Sequence, residues 1–233
     1  MTLSVIIPTW NEAAAIETVV KRARAVPEVV EIIISDGGST DGTLDVARRQ
    51  GTRIVTGAKG RGAQMRLGAE SATGDVVLFL HADTWVRPAI GQSIARALQV
   101  PNASVRPIVG GAFYKRFRDA PWYMRGARFR SWAFFRIFGV PLGDQAIFVR
   151  RQVLEAVGGM PPLPLMEEFE LVRRLRRVGK LVLLRPSVSA SARRFVTRGV
   201  FSTYWRMTRV LWFYTCGTPP AELERVYEES GRK

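Results

Sequence analysis

The feature that most constrains this chain is a regular alternation of apolar, strand-like runs with helical stretches through its first hundred residues. The predicted strands cover residues 3–7, 30–35, 53–55 and 75–80, and the predicted helices cover residues 12–24, 41–50, 61–71 and 88–98. Strands that are apolar throughout and alternate with helices are typical of a parallel sheet buried on both faces. We therefore predict an α/β fold with a mostly parallel central sheet and helices on both faces.

The alternation breaks after Pro101. Residues 113–138 interleave aromatic and basic side chains, and further on the pattern predicts strands over 145–149 and 180–184 and helices over 167–178 and 200–215. On a helical wheel the last helix has an apolar side with Phe201, Tyr204, Thr208, Leu211 and Trp212, and a basic side with Arg198, Arg206 and Arg209. This amphipathic pattern leaves two interpretations open: the helix packs its apolar side on the domain, or it lies in a membrane interface.

Positive charge is concentrated in the second half of the chain. Residues 1–100 carry 11 basic and 10 acidic side chains, whereas residues 101–233 carry 24 basic and 10 acidic ones, for a net charge of +15 over the 233 residues. Such asymmetry predicts a surface that faces a polyanion, either a nucleic acid, an anionic membrane or a phosphorylated substrate. The hydrophobic content of 47% excludes a disordered or fibrous chain.

Cysteine and histidine are too scarce for several classes of site. Cys216 has no second cysteine for an intrachain disulfide or a Cys-based zinc site, and a lone His81 excludes mechanisms that need a histidine pair. The first residues lack the basic region of a secretory signal, and no uncharged apolar run reaches the roughly 18 to 20 residues that a spanning helix needs. We expect a globular protein of a reducing compartment, cytoplasmic, with peripheral attachment to the inner face of the cell membrane left open.

Polar side chains follow each of the four predicted strands of the first half. They are Thr9, Asn11 and Glu12, then residues 36–43, then residues 59–62, then residues 81–84. Taken singly, each cluster has a structural explanation as a helix cap or a turn. In parallel sheets, however, ligands bind beyond the carboxyl ends of the strands. The joint placement of the four clusters therefore predicts one ligand site.

Asp83 has the strongest chemical case within these clusters. It emerges beyond a buried strand, close to His81, and a lone carboxylate there suits a divalent ion that also binds phosphate oxygens. The structural alternative is an aspartate that caps the following helix. The glycine-rich residues 57–62 fit neither the phosphate-binding loop GxxxxGK[ST] nor the dinucleotide fingerprint GxGxxG, so neither of those folds is supported.

Four segments taken together resemble a known family. They are SVIIPTWNE at residues 4–12, IISDGGSTDGT at residues 33–43, LFLHAD at residues 78–83, and FVRR with the later VGG and EEFEL between residues 148 and 171. The chain is similar to family 2 glycosyltransferases, which have the GT-A fold, over about residues 3–180. His81-Ala-Asp83 and Gly143-Asp-Gln145 resemble a short bacterial subgroup named for arsenosugar biosynthesis or for its radical-SAM and selenodomain neighbours.

The resemblance implies a role for each motif residue. The implied nucleotide-binding residues are Pro8, Thr9, Asn11, Glu12, Asp36 and Arg61. Of these, Asp36 is implied to form a hydrogen bond with the base. Asp83 corresponds to the metal-binding last residue of the D-x-D motif, with His81 in place of the first aspartate, and Mn²⁺ or Mg²⁺ is the implied cofactor. Glu168 stands where the family has its catalytic aspartate, with Glu167 as second candidate. Asp144 and Gln145 are implied to contact acceptor or sugar.

The implied function is an inverting, metal-dependent transfer of a sugar from a nucleotide-diphospho-sugar, with a UDP-sugar favoured. The acceptor group is a hydroxyl or a phosphate on a small molecule, a lipid-linked compound or a glycan. A carboxylate takes the acceptor proton, while metal and arginine compensate the charge of the leaving diphosphate. Residues 1–100 then form the nucleotide-sugar half, residues 101–185 the acceptor and catalytic half of the same domain, and residues 186–233 a basic amphipathic helical extension.

A protein of a different class remains as the alternative interpretation of the basic half. A non-catalytic protein with the GT-A fold would engage an anionic lipid or a nucleic acid through that half. Aromatic and basic residues in alternation also suit single-stranded nucleic acid. Nucleic acid is nevertheless disfavoured, because no nucleic-acid-binding motif accompanies these residues.

Overall fold

A computed structural model gives the fold and describes residues 1–99, 106–118, 120–121, 124, 126–141, 143–220 and 222–223. Its strands form a seven-stranded sheet in the order β3-β2-β1-β4-β6-β5-β7. The strands are β1 (Leu3–Thr9), β2 (Val29–Asp36), β3 (Arg53–Thr56), β4 (Val76–Phe79), β5 (Ile108–Arg118), β6 (Phe148–Arg150) and β7 (Lys180–Ser191).

Helices connect these strands within the described residues. They are α1 (Ala13–Arg24), α2 (Thr43–Arg49), α3 (Arg61–Glu70), α4 (Ile90–Gln99), α5 (Ala127–Phe138), α6 (Arg151–Ala156), α7 (Glu167–Val178), α8 (Arg193–Arg198) and α9 (Val200–Thr215). A short 3-10 turn covers Gly143–Gln145. None of the helices in the described ranges combines the length and apolar character needed to cross a bilayer.

The sheet is mostly parallel, as the sequence predicts. β1 pairs in parallel with both β2 and β4, β2 pairs in parallel with β3, and β5 pairs in parallel with β7. β6 runs against both of its neighbours, β4 and β5, and is the reversed strand of the sheet. The carboxyl ends of the other strands consequently meet at one edge, where a ligand site is expected.

Apolar side chains cover both faces of the sheet. Along β1 the side chains alternate, so that Val5 and Ile7 join a buried cluster with Ile16 of α1, whereas Ile6 joins a second cluster with Met65 of α3 and Leu171 of α7. Burial on both faces explains why the strands of the first half read as continuous apolar runs.

The second half differs from the sequence-based expectation in several elements. The predicted strand at 145–149 is instead the 3-10 turn followed by β6, and the predicted strand at 180–184 continues to Ser191, so that the predicted boundary at residue 185 lies within β7. Neither β5 nor α5 was predicted. Within the interleaved aromatic and basic segment, Trp122, Tyr123 and Arg125 lie outside the described residues.

Candidate active site

The loop after β2 is built around the carboxylate of Asp36. Thr9 Oγ1 donates to Asp36 Oδ1 over 3.2 Å, and the backbone N–H groups of Gly38 and Ser39 both donate to Oδ2 over 2.8 Å. Ser39 Oγ also donates to Oδ1, and Asp36 is fully buried. Asp36 therefore fixes the shape of this loop. A hydrogen bond from a base, as the resemblance implies, would have to replace one of these four contacts.

Asn11 and Glu12 fasten the same loop to the end of β1. Asn11 Oδ1 accepts from the Thr40 N–H over 2.9 Å, and the Asn11 N–H donates to Ser39 Oγ over 2.9 Å. The Glu12 N–H donates to Thr43 Oγ1 over 2.8 Å. Pro8, half-buried in β1, is paired in register with Ser35. The structure thus brings the nucleotide-binding residues predicted from β1 and β2 into one loop cluster.

Gln64 belongs to this cluster, although no motif of the sequence points to it. From α3 its buried side-chain Nε2 donates to the carbonyl oxygens of Thr9 and Ser35, over 2.6 and 2.9 Å. These two bonds tie the ends of β1 and β2 together. The sequence alone does not distinguish a buried glutamine in a helix from an exposed one, because the burial of Gln64 depends on where α3 packs.

Arg61 joins the two glutamates at the start of α7. Its Nε donates to Glu167 Oε1, and its Nη2 donates to Glu168 Oε2 over 2.8 Å. Both glutamate side chains are buried, whereas the Arg61 side chain is 37% exposed. The structure thus places a predicted nucleotide-binding residue against both predicted catalytic residues, across more than a hundred positions of sequence.

The two buried glutamates have opposite electrostatic surroundings. Burial, followed by the negative charge of Glu168, raises the pKa of Glu167. Burial also acts to raise the pKa of Glu168, but the charge of Arg61, aided by His81, outweighs it and lowers that pKa below its usual range. Glu168 is therefore the carboxylate that stays ionised, and Glu167 is the one that more readily holds a proton.

One oxygen of Glu168 remains available for chemistry. Within the described residues Glu168 Oε1 makes no hydrogen bond, and the nearby His81 Nε2 lies 3.9 Å from it, beyond hydrogen-bonding distance. An ionised carboxylate with an uncommitted oxygen is what a general base requires. Glu167 Oε2 is likewise buried without a hydrogen-bond partner among the described residues, so the two glutamates differ in their charge state and not in this feature.

Gly62 permits the close approach that brings the glutamates to Arg61. A Cβ at this position would lie 2.5 Å from the carbonyl oxygen of Leu163 and 2.6 Å from that of Pro161. The backbone of residues 161–163 therefore rests directly on the first turn of α3 and then leads into α7. In the sequence Gly62 stands out only as the end of the glycine-rich residues 57–62, which fit no phosphate motif.

Among the residues that the structure describes, three other than glycine adopt a left-handed backbone conformation, and all three adjoin the candidate site. They are Asn11 with φ 55°, Ala146 with φ 52° and Met166 with φ 64°. Asn11 follows β1, Ala146 follows the turn that contains Asp144, and Met166 directly precedes Glu167. Such conformations are unfavourable for residues with a Cβ and concentrate at functional sites.

Asp83 and His81 are the residues that could hold a metal ion. Asp83 lies beyond β4; its Oδ1 accepts from Thr84 Oγ1 over 3.3 Å, and among the described residues it forms no ion pair. The described part of the chain contains no cluster of three or more His, Cys, Asp and Glu residues that would cage an ion by itself. This donor set fits Mg²⁺ or Mn²⁺ held by one or two protein groups together with substrate phosphates.

Asp144 and Gln145 hold β5 in place. Lys115 Nζ, buried in β5, donates to Asp144 Oδ1 and Oδ2 over 2.9 and 2.7 Å. Gln145 Nε2 donates to the carbonyl oxygen of Phe113 over 3.0 Å. These contacts give both residues a structural role, and their predicted contact with acceptor or sugar stays a prediction.

A cavity of about 880 Å³ lies between the carboxyl-terminal half of β5 and α5. Its walls combine aromatic and basic side chains, including Tyr114, Arg116, Phe117, Arg128, Trp132 and Arg185. The volume lies within the range of small-molecule sites. Because β5 runs parallel to β4, the cavity opens at the same edge of the sheet as Asp83.

The ion pairs of Arg61 lead to a test of stability. We expect Arg61→Met to lower the free energy of unfolding by about 1–3 kcal/mol, because it leaves two buried carboxylates without their cation. Adding Glu167→Gln should recover part of that loss. Urea unfolding of the two single variants and the double variant measures the coupling. Arg66→Met removes the exposed pair with Glu70 on the same helix and should change little; an equal loss in both arginine variants would contradict the prediction.

Comparison with known proteins matches the chain to a family model. The model described as glycosyl transferase family 2 matches residues 4–157. The undecaprenyl-phosphate 4-deoxy-4-formamido-L-arabinose transferase of Pseudomonas paraeruginosa (strain DSM 24068 / PA7) is 29% identical over 171 residues, which cover 66% of this chain and 49% of that protein. The chain thus spans about half the length of this curated relative.

Solved structures share the fold at lower sequence identity. Glucosyl-3-phosphoglycerate synthase from Mycobacterium tuberculosis, solved with Mn²⁺, UDP and glucosyl-3-phosphoglycerate, superposes with a TM-score of 0.58 at 22% identity, covering 82% of this chain and 70% of that one. A mannosyltransferase from Pyrobaculum calidifontis, solved with GDP-Man and Mn²⁺, superposes with a TM-score of 0.67 at 19% identity, covering 98% of this chain and 68% of that one. At these identities the likeness shows the fold alone.

Proposed function

This chain belongs to glycosyl transferase family 2, and from that premise we propose that it is an inverting transferase that uses a nucleotide-diphospho-sugar donor. The observation that carries the proposal is the environment of Glu168. Its carboxylate is buried, is kept ionised by Arg61, and has one oxygen without a hydrogen-bond partner among the described residues. Together with the family membership, this site favours an enzyme over the non-catalytic binding protein considered as the alternative.

In the proposed reaction Glu168 acts as general base. The acceptor oxygen attacks the anomeric carbon of the donor as the bond from that carbon to the diphosphate oxygen breaks, and the diphosphate leaves with the bonding electrons. Glu168 Oε1 takes the proton of the acceptor hydroxyl during the attack. A single displacement of this kind inverts the configuration at the anomeric carbon. Where the attacking group is already an ionised phosphate, no proton needs to be removed.

Asp83 and His81 would hold Mn²⁺ or Mg²⁺ in this proposal. The ion, when bound, neutralises charge on the diphosphate. Support comes from the chemistry of the two side chains, from the absence of an ion pair at Asp83 within the described residues, and from the metal present in both neighbouring structures. Arg61 is one-third exposed at the same edge of the sheet, but Glu167 and Glu168 already pair with its guanidinium, so its contact with the nucleotide stays a prediction.

The donor is proposed to be a UDP-sugar bound against the loop of residues 36–43. UDP is present in the mycobacterial structure, whereas the archaeal one contains GDP-Man. Both nucleotides therefore need to be tested. Asp36, Asn11 and Thr9 would shape the loop that receives the nucleoside, and the contact of Asp36 with the base is part of the proposal.

The acceptor is proposed to carry a phosphate group and to enter through the cavity beside β5. Arg116, Arg128 and Arg185 in its walls provide positive charge, and Phe117 and Trp132 provide apolar surface. The curated relative is named for undecaprenyl phosphate, and the mycobacterial structure contains glucosyl-3-phosphoglycerate. Membership of the arsenosugar-associated subgroup would indicate a different acceptor and remains a prediction.

Calorimetric titration of UDP, GDP and their sugars, with and without Mn²⁺, tests the donor site directly. We expect one nucleotide class to bind only with metal, and Asp83→Asn to weaken that binding by about tenfold or more. Asp45→Asn, which removes only an exposed ion pair with Arg48, serves as the matched control. If no nucleotide binds in the presence of metal, the proposed donor site is wrong. If Asp83→Asn binds as tightly as the wild type, the proposed metal site is wrong.

A further inference from the structure

Helix α9 exposes aromatic side chains along one stripe. Phe201, Trp205 and Trp212 are 83%, 62% and 67% exposed. They lie on the side of the helix opposite to Thr203 and Val210, which are buried. Of the apolar side predicted from the helical wheel, Phe201 and Trp212 face outward, whereas Tyr204 and Leu211 pack inward. A helix that packed its apolar side on the domain would bury these aromatic rings.

Helix α5 lies beside α9 and also exposes large apolar side chains. Phe129 and Trp132 are exposed with ring centroids 5.6 Å apart, and Ile137 is 72% exposed. The guanidinium of Arg130 lies 5.9 Å from the ring centroid of Tyr204 in α9. We call the exposed side chains of α5 and α9 the aromatic face. So much apolar surface exposed on neighbouring helices is typical of an interaction site.

The aromatic face is surrounded by positive charge. Neither α5 nor α9 contains an acidic residue, and residues 180–220 carry seven Lys and Arg residues and no Asp or Glu. On α9 Arg209 borders the stripe and Arg206 lies farther round the helix on the same side, and Arg128 and Arg136 are exposed on α5. Aromatic and aliphatic side chains bordered by arginines match a bilayer interface, where rings lie among the acyl chains and cations meet anionic headgroups.

We propose that the aromatic face binds the surface of an anionic lipid bilayer. A second copy of this chain fits less well, because two such faces would bring arginines against arginines without acidic partners. A nucleic acid would leave aliphatic side chains such as Ile137 and Met207 without bases to stack on. An anionic membrane thus matches both the positive charge and the apolar side chains of the aromatic face. A second copy of the chain matches only the apolar side chains, and a nucleic acid matches only the charge.

The aromatic face adjoins both the cavity and the candidate base. Phe129 and Trp132 belong to the face and also line the cavity beside β5. On its inner side, Val210 of α9 packs in a buried cluster with Met166, the residue before Glu167. A bilayer bound here would lie next to the cavity, so that a lipid-linked acceptor could reach the site without leaving the membrane. Binding to the bilayer does not itself depend on the proposed transfer reaction.

Sedimentation with vesicles tests the proposal without donor or acceptor. Vesicles of phosphatidylcholine alone are compared with vesicles that also contain phosphatidylglycerol. We expect the wild type to sediment with the anionic vesicles, and binding to weaken as salt is added. Trp205→Ser combined with Trp212→Ser should lower the partition coefficient by about tenfold or more, and so should Arg206→Glu combined with Arg209→Glu.

The controls replace apolar side chains by serine and arginines by glutamate elsewhere on the surface. Val30→Ser with Val178→Ser removes exposed apolar side chains, and Arg48→Glu with Arg49→Glu reverses exposed charges on α2; neither should alter vesicle binding. Thermal unfolding verifies that the variants are folded. Three outcomes would overturn the proposal: no sedimentation of the wild type, equal binding to neutral vesicles, or a wild-type dimer that the tryptophan changes convert to monomer.

Discussion

Replacing Glu168 by glutamine should lower the rate of sugar transfer by roughly a hundredfold or more while leaving donor binding close to that of the wild type. Glutamine keeps the size of the side chain and can still accept a hydrogen bond from Arg61, but it cannot take a proton from an acceptor hydroxyl. Because the missing step belongs to the transition state, kcat should fall and the dissociation constant of the nucleotide should not. Steady-state transfer assays and calorimetry on the same preparation measure the two quantities.

Two other glutamates of α7 provide the comparison. Glu170→Gln removes a carboxylate that bonds Arg173 and Arg174 on the outer side of the helix, so activity should be retained. Glu167→Gln should cost less activity than Glu168→Gln, because Glu168 occupies the position that the family resemblance gives to the base, and Glu167 more readily holds a proton already. If Glu168→Gln keeps full activity, or if only Glu167→Gln loses activity, Glu168 is not the general base.

Gly62→Ala should lower both stability and activity, although Gly62 has no side chain to offer a substrate. The added Cβ would meet two backbone oxygens, of Pro161 and Leu163, and backbone cannot rotate away as a side chain can. Overpacking of this kind costs about 1–3 kcal/mol. Moving residues 161–163 also displaces Glu168, and a shift of about 1 Å at a reacting group can lower the rate by about a hundredfold.

Gly42→Ala is the matched control for this variant. A Cβ at Gly42 would come no closer than 3.9 Å to Ala13, and its backbone lies outside the left-handed region. Urea unfolding should find this control close to the wild type; it controls for stability alone, because Gly42 lies in the loop proposed to receive the nucleoside. If Gly62→Ala unfolds like this control and turns over like the wild type, the contact between α3 and residues 161–163 does not position the glutamates.

The first half of the fold could be predicted because its strands are buried on both sides. Ile6 and Ile7 face opposite clusters, so the strand is apolar at every position and stands out from the helices around it. β5 is not apolar at every position and so was not recognised as a strand. It contains Lys115, which is buried only because Asp144 neutralises it from a turn 29 residues away, and no local pattern in the sequence reveals that pairing.

The residues of the candidate site could be named from the sequence, but their contacts could not. The sequence predicts Arg61 in one segment and Glu167 with Glu168 in another, and the bonds between them depend on how α3 and α7 pack across the sheet. The same holds for Gln64, whose carbonyl partners are set by the adjacency of β1 and β2. Motif order predicts which residue types gather at the sheet edge, whereas tertiary packing decides which of them touch.

The three left-handed residues of the described chain create a trade-off between stability and the proposed catalysis. Each such backbone costs about 1–2 kcal/mol relative to an unstrained one, and glycine would remove that cost. Glycine at position 166, however, would also delete a buried methionine side chain that packs on α9. The packing of Met166 thus retains the left-handed turn that precedes Glu167 and Glu168, and variants that relax such a turn with glycine should be screened for turnover as well as for melting temperature.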